Sequence, residues 1–155
     1  MTRSIRRARA HDQAQLLAVR RAAISGLTES PAEQAWIEAD EPVRAALARP
    51  DTAVFVVEEH GSIAGFGWLE AEATQRFEPP VDGQLGGVFV HPHAARSGIG
   101  TLLVEAIETR ASELGLDSLG LETPADMVPF FEAQGYSQAE VAESESKFQP
   151  MQKRL

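Results

Sequence analysis

The chain has no cysteine in 155 residues. That excludes disulfides, thiolate metal ligands and a cysteine acyl-enzyme intermediate. It has a single tyrosine, Tyr136, so phenol chemistry has one candidate. No apolar run approaches the roughly 18 residues that a membrane-crossing helix needs. The basic start, MTRSIRRARAHD, has no apolar segment behind it and does not read as a signal peptide. Positive charge is also scarce, with 14 Lys and Arg against 23 Asp and Glu for a net charge of −9. A surface of that sign repels nucleic acid and anionic membrane as partners. A cytoplasmic location is the simplest reading. What the chain does have is 43% hydrophobic residues, enough to bury a core in one domain spanning 1–155.

Local patterning predicts the elements. A helix starts near Asp12, with Leu16, Leu17 and Ile24 among its apolar positions. Ser30-Pro31-x-Glu33 ahead of Trp36 and Ile37 reads as a capping box with proline at the first helical position. Pro42 restarts or kinks this helical stretch and Pro50 ends it. Residues 52–72, β-branched and aromatic around His60-Gly61, predict a hairpin. After a loop near Phe77–Gly83 comes a short strand, Gln84–Val90, with two glycines inside it. The clearest helix covers 98–114, where Leu103, Ile107, Arg110 and Leu114 recur on one face and Gly115 stands just beyond. LDSLGLE is a further strand, 125–134 a short helix ending at Gly135, and the tail holds one or two strands, Tyr136–Ala142 and Lys147–Lys153. This order predicts a mixed sheet with helices on its faces.

One local absence points to chemistry. From Gly83 to Val104 there is no Asp or Glu, although 23 of 155 residues are acidic, about one in seven. Within that window a strand ends at Val90, and Arg96-Ser97-Gly98-Ile99-Gly100 leads into the long helix. Free N–H groups at a helix N-terminus, backed by the helix dipole, attract anions, and glycine lets a phosphate approach closely. Arg96 adds a permanently charged fork. A G-x-G at such a junction serves either as a tight turn or as an anion cradle. It is not a Walker loop, since no Lys-Ser/Thr follows Gly100, and it lacks the third glycine of a dinucleotide fingerprint.

The block VFVHPHAARSGIGTLL, a helix and a strand after it, and then VPFFEAQGY resemble the GNAT acetyltransferase superfamily. The first looks like that family's acyl-CoA pyrophosphate loop, Q/R-x-x-G-x-G/A, and the second like its later A-x-x-F-Y-E-x-x-G-F block. IRRARAHDQAQLLAVRRAA and GSIAGFGWL stand where the family has its first strand and helix and its third strand. The resemblance implies an α/β fold: a mostly antiparallel sheet of six to seven strands, with the fourth and fifth splayed, flanked by helices. It implies acetyl-CoA as acyl donor with no metal, pantetheine along Val88 and Val90, and diphosphate on amides of Arg96, Ser97, Gly98, Ile99, Gly100 and Thr101. Phe131 would border the cofactor, where members often carry a tyrosine that protonates the departing thiolate. Gly86 and Gly87 suit a bulged strand approached closely by another chain.

The sequence departs from the pattern at three places. Ala95 takes the loop's first Q/R position, Phe131 cannot donate a proton, and Gly86 stands where a carboxylate often accepts the amine proton. Glu122 is the remaining acid expected near the cleft, with His91 and His93 as further bases; Tyr136 falls on a position that is normally core. The leading expectation is acetyl transfer to an amine of a small molecule or peptide within a ternary complex. The alternative is a module of the same fold that holds acyl-CoA without turnover. The acceptor site is expected from residues 12–49, the 73–82 loop and the chain end, where Glu29, Glu33, Glu38, Asp40 and Glu41 can attract a cation. Family members are often dimers, so a homodimer is among the assemblies implied.

Overall fold

The computed structural model describes residues 3–24, 40–141 and 148–155. The predicted capping box at Ser30–Glu33, with Trp36 and Ile37, lies outside them, as do Glu29 and Glu38. A seven-stranded sheet is built from β1 (Arg3–Arg7), β2 (Thr52–Glu59), β3 (Ser62–Glu70), β5 (Gly83–Val90), β6 (Ser118–Thr123), β7 (Ser137–Gln138) and β9 (Gln149–Arg154). Its order is β1-β2-β3-β5-β6-β9-β7, antiparallel throughout except between β5 and β6. Two short strands, β4 (Phe77–Glu78) and β8 (Glu140–Val141), pair separately. The α-helices are α1 (Gln13–Ile24), α2 (Glu41–Ala48), α3 (Ile99–Glu113) and α4 (Val128–Ala133), with short 3-10 turns at Ala10–Asp12, Pro92–Ala94 and Ala125–Met127.

The hairpin falls where alternation and turn chemistry placed it. His60 and Gly61 both take positive φ, 53° and 81°, the two-residue turn that matches strand twist. β3 is buried along almost its whole length because it lies mid-sheet with helices on both faces. On one face Leu16 and Val19 of α1 and Val43 and Ala46 of α2 pack on Val54, Val56, Phe66 and Trp68. On the other, Leu103, Val104, Ile107 and Ala111 of α3 cover Val57, Leu69, Leu85, Leu119 and Leu121. The tail departs from expectation: residues 136–141 give two dipeptide strands on different sheets, since Ala139 breaks off to donate to Pro150 O at 2.8 Å, while Ala142 and Lys147 lie outside the described residues. Among the described residues no helix is long and apolar enough to cross a membrane.

Helix ends explain why the C-terminal block packs as it does. After α4, Gly135 takes φ 96°, the N–H of Tyr136 donates to Phe131 O and that of Gly135 to Glu132 O, both at 3.0 Å. This Schellman closure brings the side chains of Phe131 and Tyr136 together, with ring centroids 5.9 Å apart. The end of α3 closes in the same way, Leu116 N–H donating to Ala111 O and Gly115 N–H to Ser112 O.

Candidate active site

β5 and β6 run parallel and pair only at Gly83↔Leu119 and Gln84↔Gly120, then diverge. The gap between them widens toward the C-terminal end of β5, where the chain turns into α3. This is the expected splay. On its other edge β5 pairs with β3, and the register shifts so that Trp68 faces Gly87 while Leu69 faces Leu85, leaving Gly86 as the extra residue of a bulge. His91 N–H donates to Ala64 O at 2.8 Å, which fixes the phase of that ladder. By antiparallel alternation, Phe89 bonds to β3, while the amides and carbonyls of Val88 and Val90 point into the gap.

The loop after β5 is shaped by the main chain. Pro92–Ala94 form a single 3-10 turn, and Ser97 Oγ donates back to Ala94 O. Arg96 and Gly98 take left-handed φ values of 62° and 86°. That conformation costs about 1–2 kcal/mol at the non-glycine position. Gly98 caps α3 without a side-chain bond, and nothing lies within 4 Å of where a Cβ would be. Leu102 N–H is the first to bond into the helix, to Gly98 O. Among the described residues, no acceptor meets the N–H groups of Gly98, Ile99, Gly100 and Thr101. A diphosphate fits this turn: four open donors, the positive end of a 15-residue helix, and no acidic side chain from Gly83 to Val104.

The other loop residues divide by role. Arg96 is exposed, Ile99 is buried and presses its Cγ2 against Gly65, and the Thr101 hydroxyl accepts from Gln134 Nε2 at 3.1 Å. At Gly100 the Phe130 ring stands 3.0 Å from where a Cβ would be, so this glycine admits a neighbouring aromatic. Phe131, expected beside the cofactor, is turned into the core at 4% exposure, edge-on to Phe130 and Tyr136. The Schellman closure holds it there, and Phe130 is the ring that reaches the α3 start. Tyr136 is also core, and burial pushes its phenol far above the usual range.

The expected acid–base residues fare differently. Both carboxylate oxygens of Glu122 accept from Arg76, at 2.9 and 2.8 Å, a bidentate ion pair. The structure thus places Glu122, the acid expected near the cleft, in an ion pair with the 73–82 loop. The His91 ring stacks on His93 at 4.9 Å and its Nδ1 accepts the His93 N–H, so both belong to the turn.

A carboxylate that sequence reading passed over stands at the bulge. Trp68 and Glu70, two apart on β3, project to the face of α1 and α2. The Trp68 Nε1 lies 1.8 Å from where a Cβ on Gly86 would be, so the indole fills the place of the missing side chain. Burial pushes the Glu70 carboxyl above the ordinary range, while Arg49, 3.9 Å away, and hydrogen bonding from Trp68 act against that shift. The only sequence signal was the two-residue spacing WLE at the end of a strand.

The acetyltransferase (GNAT) family profile matches residues 19–136. The chain belongs to this family. PaiA N-acetyltransferase from Thermoplasma acidophilum, in complex with coenzyme A, superposes with a TM-score of 0.80 at 16% identity over 100% of both chains. A GNAT family acetyltransferase from Brucella melitensis, in complex with acetyl-CoA, gives 0.70 at 22% identity over 96% of this chain and 86% of that one. The ribosomal-protein-S18-alanine N-acetyltransferase of Escherichia coli gives 0.71 at 15% identity over 99% and 94%. At these identities the likeness is one of fold. No curated protein matches the chain in sequence.

Proposed function

We propose that the protein, as one acyltransferase domain over residues 1–155, transfers an acetyl group from acetyl-CoA directly to the amine of a small molecule or peptide. The observation that carries this reading is the run of unpartnered amides from Gly98 to Thr101 at the wide end of the β5–β6 gap. The open main-chain groups of Val88 and Val90 suit an amide-bearing arm such as pantetheine, and solved relatives in complex with coenzyme A and acetyl-CoA support it.

Acetyl-CoA supplies an activated thioester; the amine nitrogen bonds to its carbonyl carbon, the carbon–sulfur bond breaks, and the thiolate leaves. The protein's own task is mostly alignment, which can be worth roughly 7–11 kcal/mol. Glu70 takes the proton shed by the amine, its carboxyl raised by burial and set beside the Gly86 bulge. Phe131 cannot protonate the thiolate, which takes its proton from water. No metal is called for.

The test is a thermal-shift titration with acetyl-CoA, CoA and desulfo-CoA, followed by thiol release from acetyl-CoA across a panel of amines. Stabilisation by the CoA ligands together with amine-dependent thiol release is expected. No stabilisation by any of them overturns the reading. Binding without release from any amine favours the non-catalytic module, to which Phe131 and Gly86 lend support.

A further inference from the structure

Resting on the reading of the α3 turn as a diphosphate site, we propose that Arg3, on the edge strand β1, is a positioning residue that aims the Gly98 amide, with Glu59 holding it in place. Arg3 Nη1 donates to the main-chain carbonyl of Ser97 at 2.8 Å, across a separation of 94 residues. Its other donors are committed to Glu59: Nε reaches Oε2 at 2.8 Å and Nη2 the same oxygen at 2.6 Å. Arg3 and Glu59 are direct partners in the β1–β2 register, so the strand pairing itself delivers the guanidinium to this place. Both side chains are only about a quarter exposed, at 22% and 24%.

The consequence follows from peptide geometry. In a trans peptide the C=O and the next N–H point in opposite directions. A Ser97 oxygen drawn toward β1 therefore turns the Gly98 N–H away from it, into the open space beside the α3 N-terminus. Without that anchor the 97–98 peptide can rotate and present its oxygen, which repels a phosphate. Gly98, with no Cβ, offers little resistance to such a flip. Arg3 acts through this peptide and not through its own field, because Glu59 neutralises its charge at contact distance.

The two roles predict opposite signs for one substitution, so calorimetric titration with CoA separates them. Arg3→Gln is expected to weaken CoA binding by about three- to tenfold, the effect of a lost charge-assisted bond. Arg3→Lys, which keeps a donor for Ser97 O, should return to within about twofold of the unmodified protein. Glu59→Gln removes a negative charge near the turn; orientation predicts weaker CoA binding, whereas a purely coulombic role predicts tighter binding and overturns the proposal. Unchanged affinity in Arg3→Gln overturns it too, as does a fall of more than about 2 °C in the ligand-free melting temperature, which marks a general structural staple. If the unmodified protein gives no heat with CoA, the diphosphate reading fails at its root. Normal binding by the unmodified protein and all three variants sinks the Arg3 role alone.

Discussion

The turn that opens α3 and the bulge of β5 each hold two glycines, yet they are built in opposite ways. At the turn the proposed binding groups are main-chain amides, the glycine at 98 opens onto empty space, and residues adjacent in sequence supply them. At the bulge the glycine at 86 is filled by a side chain from the neighbouring strand, and the acid beside it comes from β3. A main-chain site is robust to side-chain change but sensitive to backbone strain. The side-chain site depends on the packing of Trp68. Each is therefore vulnerable to a different substitution.

The largest effect is expected from Gly98→Glu. Left-handed strain and a carboxylate in the anion turn together should weaken CoA binding by more than about 100-fold, measured by calorimetry. Binding within about threefold of normal would remove the main-chain half of the comparison. Glu70→Gln addresses the other half: amine-dependent turnover should fall roughly 10²-fold while CoA affinity stays unchanged. Because Glu70 titrates above the ordinary carboxylate range, turnover should fall as pH drops through its pKa, and Glu70→Gln should lose that acid limb.

Acid unfolding must be kept apart from that limb, and Asp12 provides the control. Hydrogen bonds from Arg6, at 2.8 and 3.0 Å, hold its buried carboxyl down to about 2. A carboxyl depressed on folding stabilises the protein above its unfolded pKa, here the ordinary 3.8, and loses that contribution as pH falls toward about 2. The stabilisation at stake is about 2 kcal/mol. Asp12→Asn should therefore lower the melting temperature at pH 7 and leave the activity limb, which lies at higher pH, in place. The smallest effect is expected from Glu122→Gln, which loses a partly exposed ion pair with Arg76 worth about 0.2–1 kcal/mol. Turnover reduced as much as in Glu70→Gln would reverse the assignment of the two acids.

The legible parts of the site were those made by neighbours in sequence. The α3 turn, the helix behind it and the acid-free window could be read from residues 83–115 alone, and the paired glycines foretold the bulge. Phe131 could not be placed, because adjacent aromatics differ only in which way a short helix turns them, and the closure at Gly135 decides that. Glu122 looked available because nothing near it in sequence names Arg76, 46 positions away. Glu70 was overlooked for the converse reason: its meaning comes from Gly86 on the next strand.

Local sequence was enough for the hairpin turn at His60-Gly61, the long helix with its closing glycine and the open amides at its start, since these rest on dihedral preferences and hydrogen bonds within a few residues. It took the folded molecule to show that Glu122 is paired with Arg76, that Phe131 enters the core, and that Arg3 bonds to the loop from the edge strand. Those outcomes depend on strand order and register, which bring distant side chains to within bonding distance and which no local pattern encodes.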